Sequence, residues 1–328
     1  MLSDLVAKLQ QSTSILHKQD IQTAASTIGQ YVKGVDGSQI RLGDDCAAIL
    51  DSKSYLLLAA EGIWPQLIEQ DPWFAGWCAI MVNLSDIAAM GGTPIAVVDA
   101  LWRQSAREKD PLWAGLQAAA TAYNVPIVGG HTNAHSPYNG LSVAVLGRSH
   151  HLLTSFDAQP GDILIALINM AGTYRRDYPF WNAATTADPQ QLRQQLALLP
   201  KLAATGLCNT AKDISMGGLA GTLLMLCEAS GCGAVIDLDN VPRPEAPHWQ
   251  EIGWHKWLTS FPSFGFLLSA APQKVQQIVD LFSPHNLTCQ PIGMMLPGPK
   301  VFIQQNAQRQ QLWDLAQPLT GFSPLAKA

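Results

Sequence analysis

Asn83 and Asp86 stand three residues apart near the end of an otherwise apolar stretch, residues 80–92, so on a helix they share one face. An ionisable group there is costly to bury unless a positive charge meets it. An Asp close to a helix C-terminus also opposes the helix dipole. A hydrated Mg²⁺ held jointly by protein carboxylates and nucleotide phosphates meets both demands. Gly43-Asp44-Asp45 upstream and Asp213-Ile214-Ser215 downstream offer further ligands. In an extended Asp44-Asp45 pair the side chains point to opposite faces, so one can bind metal while the other caps a turn. Gly-Asp-Asp alone reads equally well as a plain turn before a strand. Asp213 and Ser215 precede Gly217-Gly218 and an apolar run. That puts a carboxylate, a hydroxyl and backbone N–H groups at a helix start, suited to a phosphate or to ordinary capping by Ser215 or Asp213. Gly129-Gly130-His131-Thr132 follows a short apolar run, and paired glycines let the backbone approach a phosphate.

The other nucleotide and nucleophile signatures are absent. There is no GxxxxGK[ST], no GxGxxG and no GxSxG.

The elements that must position these residues are readable from periodicity and punctuation. Residues 3–32 carry helical spacing. Strands are expected at 46–50 and 54–60. Asp71-Pro72 starts a helix that runs to about Met90 and stops at Gly91-Gly92. A strand at 95–101 follows. Asp110-Pro111 opens a helix to about Tyr123, and short strands follow at 125–128 and 141–147. The turn-rich segment 158–162 marks a domain junction. Beyond it the spacing predicts helices at 189–205, 217–230 and 272–283, with strands at 163–168, 233–238, 264–270 and 287–295. Residues 240–257, rich in Pro and Trp, read as a long connection.

Length and composition set the limits. A chain of 328 residues suggests two domains. Hydrophobic residues at 48% and charged ones at 14% suit large cores and exclude a disordered chain. A net charge of −5 with no Lys/Arg block excludes a nucleic-acid footprint. No run is long enough to span a bilayer, and no secretory signal is readable. The six cysteines form no CxxC pair and sit in apolar surroundings, as reduced thiols of a cytoplasmic protein would.

In this order and spacing the motifs resemble the aminoimidazole-ribonucleotide (AIR) synthetase superfamily. Its members include thiamine-monophosphate kinase, selenophosphate synthetase and a hydrogenase-maturation dehydratase. Residues 43–48, 82–91, 213–220 and 228–238 are similar to the thiamine-phosphate kinase branch; 129–132 and 262–269 are closer to the selenophosphate branch. The resemblance implies an α/β N-terminal domain (1–155) whose mixed sheet closes a barrel with a second subunit, hence a homodimer. It also implies an α+β C-terminal domain (156–328). ATP would lie in a cleft, bridged to the protein by Mg²⁺. Asp45, Asp86 and Asp213 match metal-binding positions. Asn83, Gly129, Gly130, His131, Thr132, Ser215 and Gly217 match positions around the nucleotide's phosphates. Glu61 and Asp45 are candidate ligands or bases, and Trp64 stands where the kinase branch has its substrate-contacting His.

The departures are specific. Leu57, His131 and Met216 occupy positions where the kinase branch carries Asp, and its acidic segment before the 264–270 strand is missing. The reactive N-terminal cysteine of the selenophosphate branch has no counterpart, nor has the dehydratase's C-terminal cysteine tail. The expected function is therefore a Mg²⁺-dependent, ATP-binding enzyme that phosphorylates or activates a small metabolite. The alternative is a degenerate, non-catalytic dimer that binds a nucleotide or phosphorylated ligand.

Overall fold

The computed structural model describes residues 1–105, 110–245 and 248–324; the remainder, including part of the expected 240–257 connection and the chain's last four residues, lies outside the described set. The chain forms two compact units. One comprises Asp45–Leu152 with Ala184–Lys201, and the other Met1–Asp44, Leu153–Ala183 and Leu202–Ala328.

The unit built on Asp45–Leu152 carries a five-stranded mixed sheet. Its strands run, in spatial order, Ala47–Asp51, Ser54–Gly62, Gly140–Ser149, Thr93–Trp102 and Ile127–Asn133. Neighbours are antiparallel except the last pair, which is parallel. The helix Pro72–Ala89 begins as the sequence predicts: Pro72 takes the first turn and the Asp71 carboxylate accepts from Phe74 N. It ends where Gly91 adopts φ +67°. Its neighbour, Pro111–Tyr123, is capped by Asp110, whose carboxylate accepts from Leu112 N and pairs with the buried Arg103 guanidinium at 2.8 Å. The two helices meet backbone to backbone. A Cβ on Gly76 would strike Leu112 O, and one on Gly115 would strike Trp73 O. One sheet face buries Leu57, Val97, Leu101, Val143 and Val145, while Leu58, Val98 and Leu146 on the other face stay exposed.

The second unit carries a seven-stranded mixed sheet. Its spatial order is Thr210–Asp213, Gly265–Ala270, Ile163–Ile168, Thr288–Leu296, Gly233–Asp237, Lys300–Gln305 and Gln308–Asp314. A small sheet of Thr173–Tyr174, Phe180–Asn182 and Phe261–Pro262 lies in the same unit. The helix Gly218–Ser230 buries Leu219, Leu223 and Leu226 in a cluster that also takes Leu2, Val6 and Leu9 from the N-terminal helix Leu2–Gln10.

Two segments differ from the sequence expectation. The 240–257 connection contains a helix, His248–Leu258, broken at Gly253 (φ +64°). Its tryptophans hold it: Trp249 packs edge-on against Trp254 at 4.7 Å, and Trp257 Nε1 donates to Pro242 O. The 129–132 segment is not a loop. It belongs to the strand Ile127–Asn133, in register with Asp99–Trp102. All six cysteines are buried and none is in a disulfide, and burial pushes the Cys208, Cys232 and Cys289 thiols up to about 12, so these three remain protonated packing groups. No helix among the described residues is long and apolar enough to cross a membrane.

One buried acid ties the C-terminal segment down. The Glu228 carboxylate, fully buried in the Gly218–Ser230 helix, accepts from Leu319 N, Thr320 N, Thr320 Oγ1 and Gly321 N at 2.7–3.1 Å. All four partners are donors. Replacing one acceptor oxygen by an NH₂ sets donor against donor, so Glu228→Gln is expected to cost about 2 kcal/mol or more, nearly as much as Glu228→Ala. Urea unfolding of both variants measures this. A Gln variant as stable as wild type would mean that the carboxylate does not anchor the segment.

Candidate functional site

In the unit built on Asp45–Leu152, the Pro72–Ala89 helix carries Asn83 fully buried and Asp86 only 6% exposed. Asp45 sits at the entrance to the first strand, and carboxylate oxygens of Asp45 and Asp86 lie within 4.8 Å of one another. Asn83 Nδ2 donates to Ala79 O at 2.8 Å, which fixes the amide. Its Oδ1 is buried with no hydrogen-bond partner among the described residues. An orphaned acceptor of this kind costs roughly 1–3 kcal/mol. Carboxylate and amide oxygens are hard donors, the type that Mg²⁺ takes, and Asn83 shares its helix face with Asp86. The residues present therefore fit the ion.

Asp99 was not read from the sequence. It lies on the strand Thr93–Trp102, 7% exposed, and its Oδ2 has no hydrogen-bond partner among the described residues. Desolvation raises its pKa above the usual carboxylate value. Glu61, Val143, Asp99 and Gly130 are register partners in turn across four strands, so they form one row on the helix-covered face. Glu61 is at the exposed end of that row. A Cβ on Gly130 would strike Asp99 Oδ1, so this glycine makes room for a carboxylate. In sequence Asp99 was hidden inside a strand-like apolar run, with no neighbouring motif.

The residues expected around the phosphates are placed as follows. Gly129, Gly130, His131 and Thr132 are exposed on Ile127–Asn133, the edge strand of the sheet. An edge leaves one side's backbone donors outside the ladder, a different route to anion contact from a glycine loop. Trp64 is 41% exposed at the N-cap of the short helix Pro65–Gln70. Leu57 is fully buried, with its side chain where a Cβ on Gly92 would be.

In the second unit, Asp213 is buried at the end of its strand, and Ile214 N donates to Gly265 O. Ser215 N donates to Thr222 Oγ1 at 3.2 Å; Ser215 Oγ is buried without a partner among the described residues. Neither Asp213 nor Ser215 caps the helix. Gly217 holds the N-cap position and as a glycine brings no side-chain acceptor of its own, while Gly218 N donates to Ser215 O at 2.8 Å. Gly218 adopts φ +64° because the Leu258–Thr259 backbone fills the space of a side chain. Lys18 Cε passes 3.6 Å from the Cβ position of Gly217, which brings an ammonium-bearing chain to the same helix start. Nothing in local sequence connects residues 18 and 217. Met216 is 41% exposed.

The architecture recurs in known proteins. The chain is 53% identical to an uncharacterized protein of Synechocystis sp. across 98% of its own length and 99% of the relative's. It is 30% identical to the thiamine-monophosphate kinase of Synechococcus elongatus, covering 79% of this chain and 85% of that one. It superposes on T. maritima PurL complexed with ATP with a TM-score of 0.72 at 19% identity, covering 92% of this chain. There the chain spans about half of the larger protein's length. Residues 43–149 match the profile of the AIR synthase related protein N-terminal domain, and residues 159–306 that of its C-terminal domain. The chain belongs to the AIR synthase-related family, which includes ATP-using enzymes.

Proposed function

We propose that this protein is a Mg²⁺-dependent, ATP-binding enzyme that phosphorylates or otherwise activates a small metabolite. The observation that carries the proposal is the close Asp45–Asp86 pair, with the partnerless Asn83 Oδ1 one helical turn before Asp86 on the same helix. Asp45, Asp86 and Asp213 would hold the ion, with Asp99 as a further carboxylate. Bound Mg²⁺ supplies charge neutralisation for the terminal phosphates. Asn83, the 129–132 edge, Ser215, Gly217 and the Lys18 ammonium would contact the nucleotide. Glu61 stands on the same sheet row as Asp99 and is the candidate base. Trp64 would contact the substrate. The family kinship and the ATP-bound state of PurL support this reading.

A second reading, nucleotide binding without turnover, draws on Leu57 and Met216, which place apolar side chains at two positions of the kinase-type acidic pattern. A homodimer is also proposed. Leu58 and Leu146 are direct cross-strand partners on the uncovered sheet face, with Val98 exposed beside them. Apolar residues on one open sheet face are what a second copy would bury. Leu146→Lys is expected to convert a sedimenting dimer to monomer; a wild-type monomer would remove the dimer from the proposal.

Calorimetry with a non-hydrolysable ATP analogue tests the site. Binding is expected to need Mg²⁺ and to weaken at least about tenfold in Asp86→Asn. Binding that ignores both the ion and the substitution sinks the metal–nucleotide reading. Asp99 gives a separate check. Because burial raises its folded-state pKa, its stabilising contribution is complete below the unfolded value of 3.8 and is lost as pH rises through the folded value. In EDTA and without nucleotide, Asp99→Asn should therefore raise Tm at pH 7, with the gain shrinking toward pH 4. A gain that grows on acidification contradicts the assignment.

A further inference from the structure

Along the helix Pro111–Tyr123, in the unit built on Asp45–Leu152, runs an open groove of about 860 Å³. That is within the range of about 300–1,000 Å³ that small-ligand sites occupy. One wall is a single helix face, on which Trp113, Gln117 and Thr121 follow at four-residue spacing and are all exposed. The other is the chain that turns back from the helix end, Asn124 at φ +56° followed by Val125, Pro126 and Ile127. Ile127 opens the strand Ile127–Asn133, so the groove borders the element that carries the Gly129–Thr132 edge. No charged side chain lines it among the described residues.

The Trp113 indole is 37% exposed and offers the groove a broad π surface. A base stacked on an aromatic side chain gains affinity whatever its identity, because every base has a π face. Choice among bases then falls to the polar groups at the edge. Gln117 stands one helical turn from Trp113, and its amide has a donor end and an acceptor end. The Thr121 hydroxyl, one turn further, can also donate or accept. The backbone groups of the facing chain are committed to the fold. Val125 N donates to Ala120 O and Asn124 N to Thr121 O, at 3.0 and 3.2 Å. Pro126 O accepts from Val97 N at 3.0 Å, and a proline has no N–H to offer. Adenine presents an amino donor beside a ring acceptor, whereas guanine presents a carbonyl acceptor beside a ring N–H. A fixed backbone pair fits one of these edges, but a rotatable amide meets either by turning over.

We propose that this groove is a purine subsite that does not discriminate adenine from guanine, with the base on Trp113 and its edge met by Gln117. The protein therefore takes GTP as readily as ATP. The subsite rests on the ATP-dependent reading above and adds base choice to it.

The test titrates the full-length protein, with Mg²⁺ present, by calorimetry. The probes are the non-hydrolysable analogues of ATP and GTP and inorganic tripolyphosphate, which carries no base. The two purine analogues are expected to bind within about threefold of one another, and each at least ten-fold more tightly than tripolyphosphate. Trp113→Ala, at an exposed position, should weaken both analogues ten-fold or more and leave tripolyphosphate affinity and Tm unchanged. Gln117→Glu replaces the amide with an acceptor-only group suited to the guanine N–H donors, and should turn the balance about ten-fold toward the GTP analogue. A ten-fold preference between the purines in the wild type, or an analogue affinity that ignores Trp113→Ala or Gln117→Glu, overturns the proposal. Tripolyphosphate binding as tight as that of the analogues removes the base subsite and leaves the metal–phosphate site standing. No binding of any of the three removes the ATP-dependent reading and the subsite with it.

Discussion

Two carboxylates within 4.8 Å, one of them nearly fully buried, set the terms for the site. Two like charges that close repel one another, and a cation between them reverses the sign of the interaction. The helix bearing Asp86 has little freedom to relieve it. Asp71 and Pro72 fix its start, Gly91 its end, and the Gly76–Gly115 contact locks it against its neighbour. The pair stands near the helix C-terminus, where the dipole adds to the penalty. A divalent cation removes both costs at once, and the fixed Asn83 amide leaves an oxygen for it. The rigidity of the helix is thus what converts two ordinary aspartates into a metal-type donor set.

The peptide just before Asp45 is held equally firmly. Gly43 adopts φ +99°, and the Phe322 side chain occupies the space of its missing Cβ. Asp44 accepts from Ser155 N and Ser155 Oγ at 2.9 and 2.5 Å. Ser230 Oγ in turn donates to Ser155 O. Phe322 itself follows the segment bound by Glu228. A chain of packed and hydrogen-bonded groups therefore runs from a buried glutamate to the residue next to Asp45. It also separates the adjacent acids by job: Asp44 is committed to structure and Asp45 faces its partner acid.

Much of this was legible in sequence because the signals were local. Asp71, Asp110 and Asp188 each precede a proline, and each caps the helix it was expected to start. Gly91-Gly92 stops the long helix as expected. The misses are cases where tertiary context decided. The 129–132 glycines read as a loop, yet pairing with Asp99–Trp102 holds them in a strand. The 248–258 helix was masked by Trp, Pro and a mid-helix Gly253, and its stability comes from ring packing that no periodicity reports. The hairpin Lys300–Gln305 and Gln308–Asp314 is Gln-rich and turns through Asn306-Ala307, both at positive φ, without the usual glycine. The helical spacing of residues 3–32 indicates a helix but not its partner, because the cluster that buries Leu9 is completed mostly by residues from Ala158 onward.

Two glycines of the unit built on Asp45–Leu152 lie against side chains that use the space of their missing Cβ atoms. Gly92 lacks a Cβ where the fully buried Leu57 side chain lies. A carboxylate at 57 would meet core, not solvent or metal. Asp99 forms the converse pair with Gly130, where the missing Cβ gives room to a charge. A Cβ at either glycine would collide with its neighbour, and at Gly130 it would meet the Asp99 main-chain oxygen as well as the carboxylate. Asp99, opposite Gly130 on the sheet, also belongs to the row that leads through Val143 to Glu61, so the strand register sets these two acids on one face.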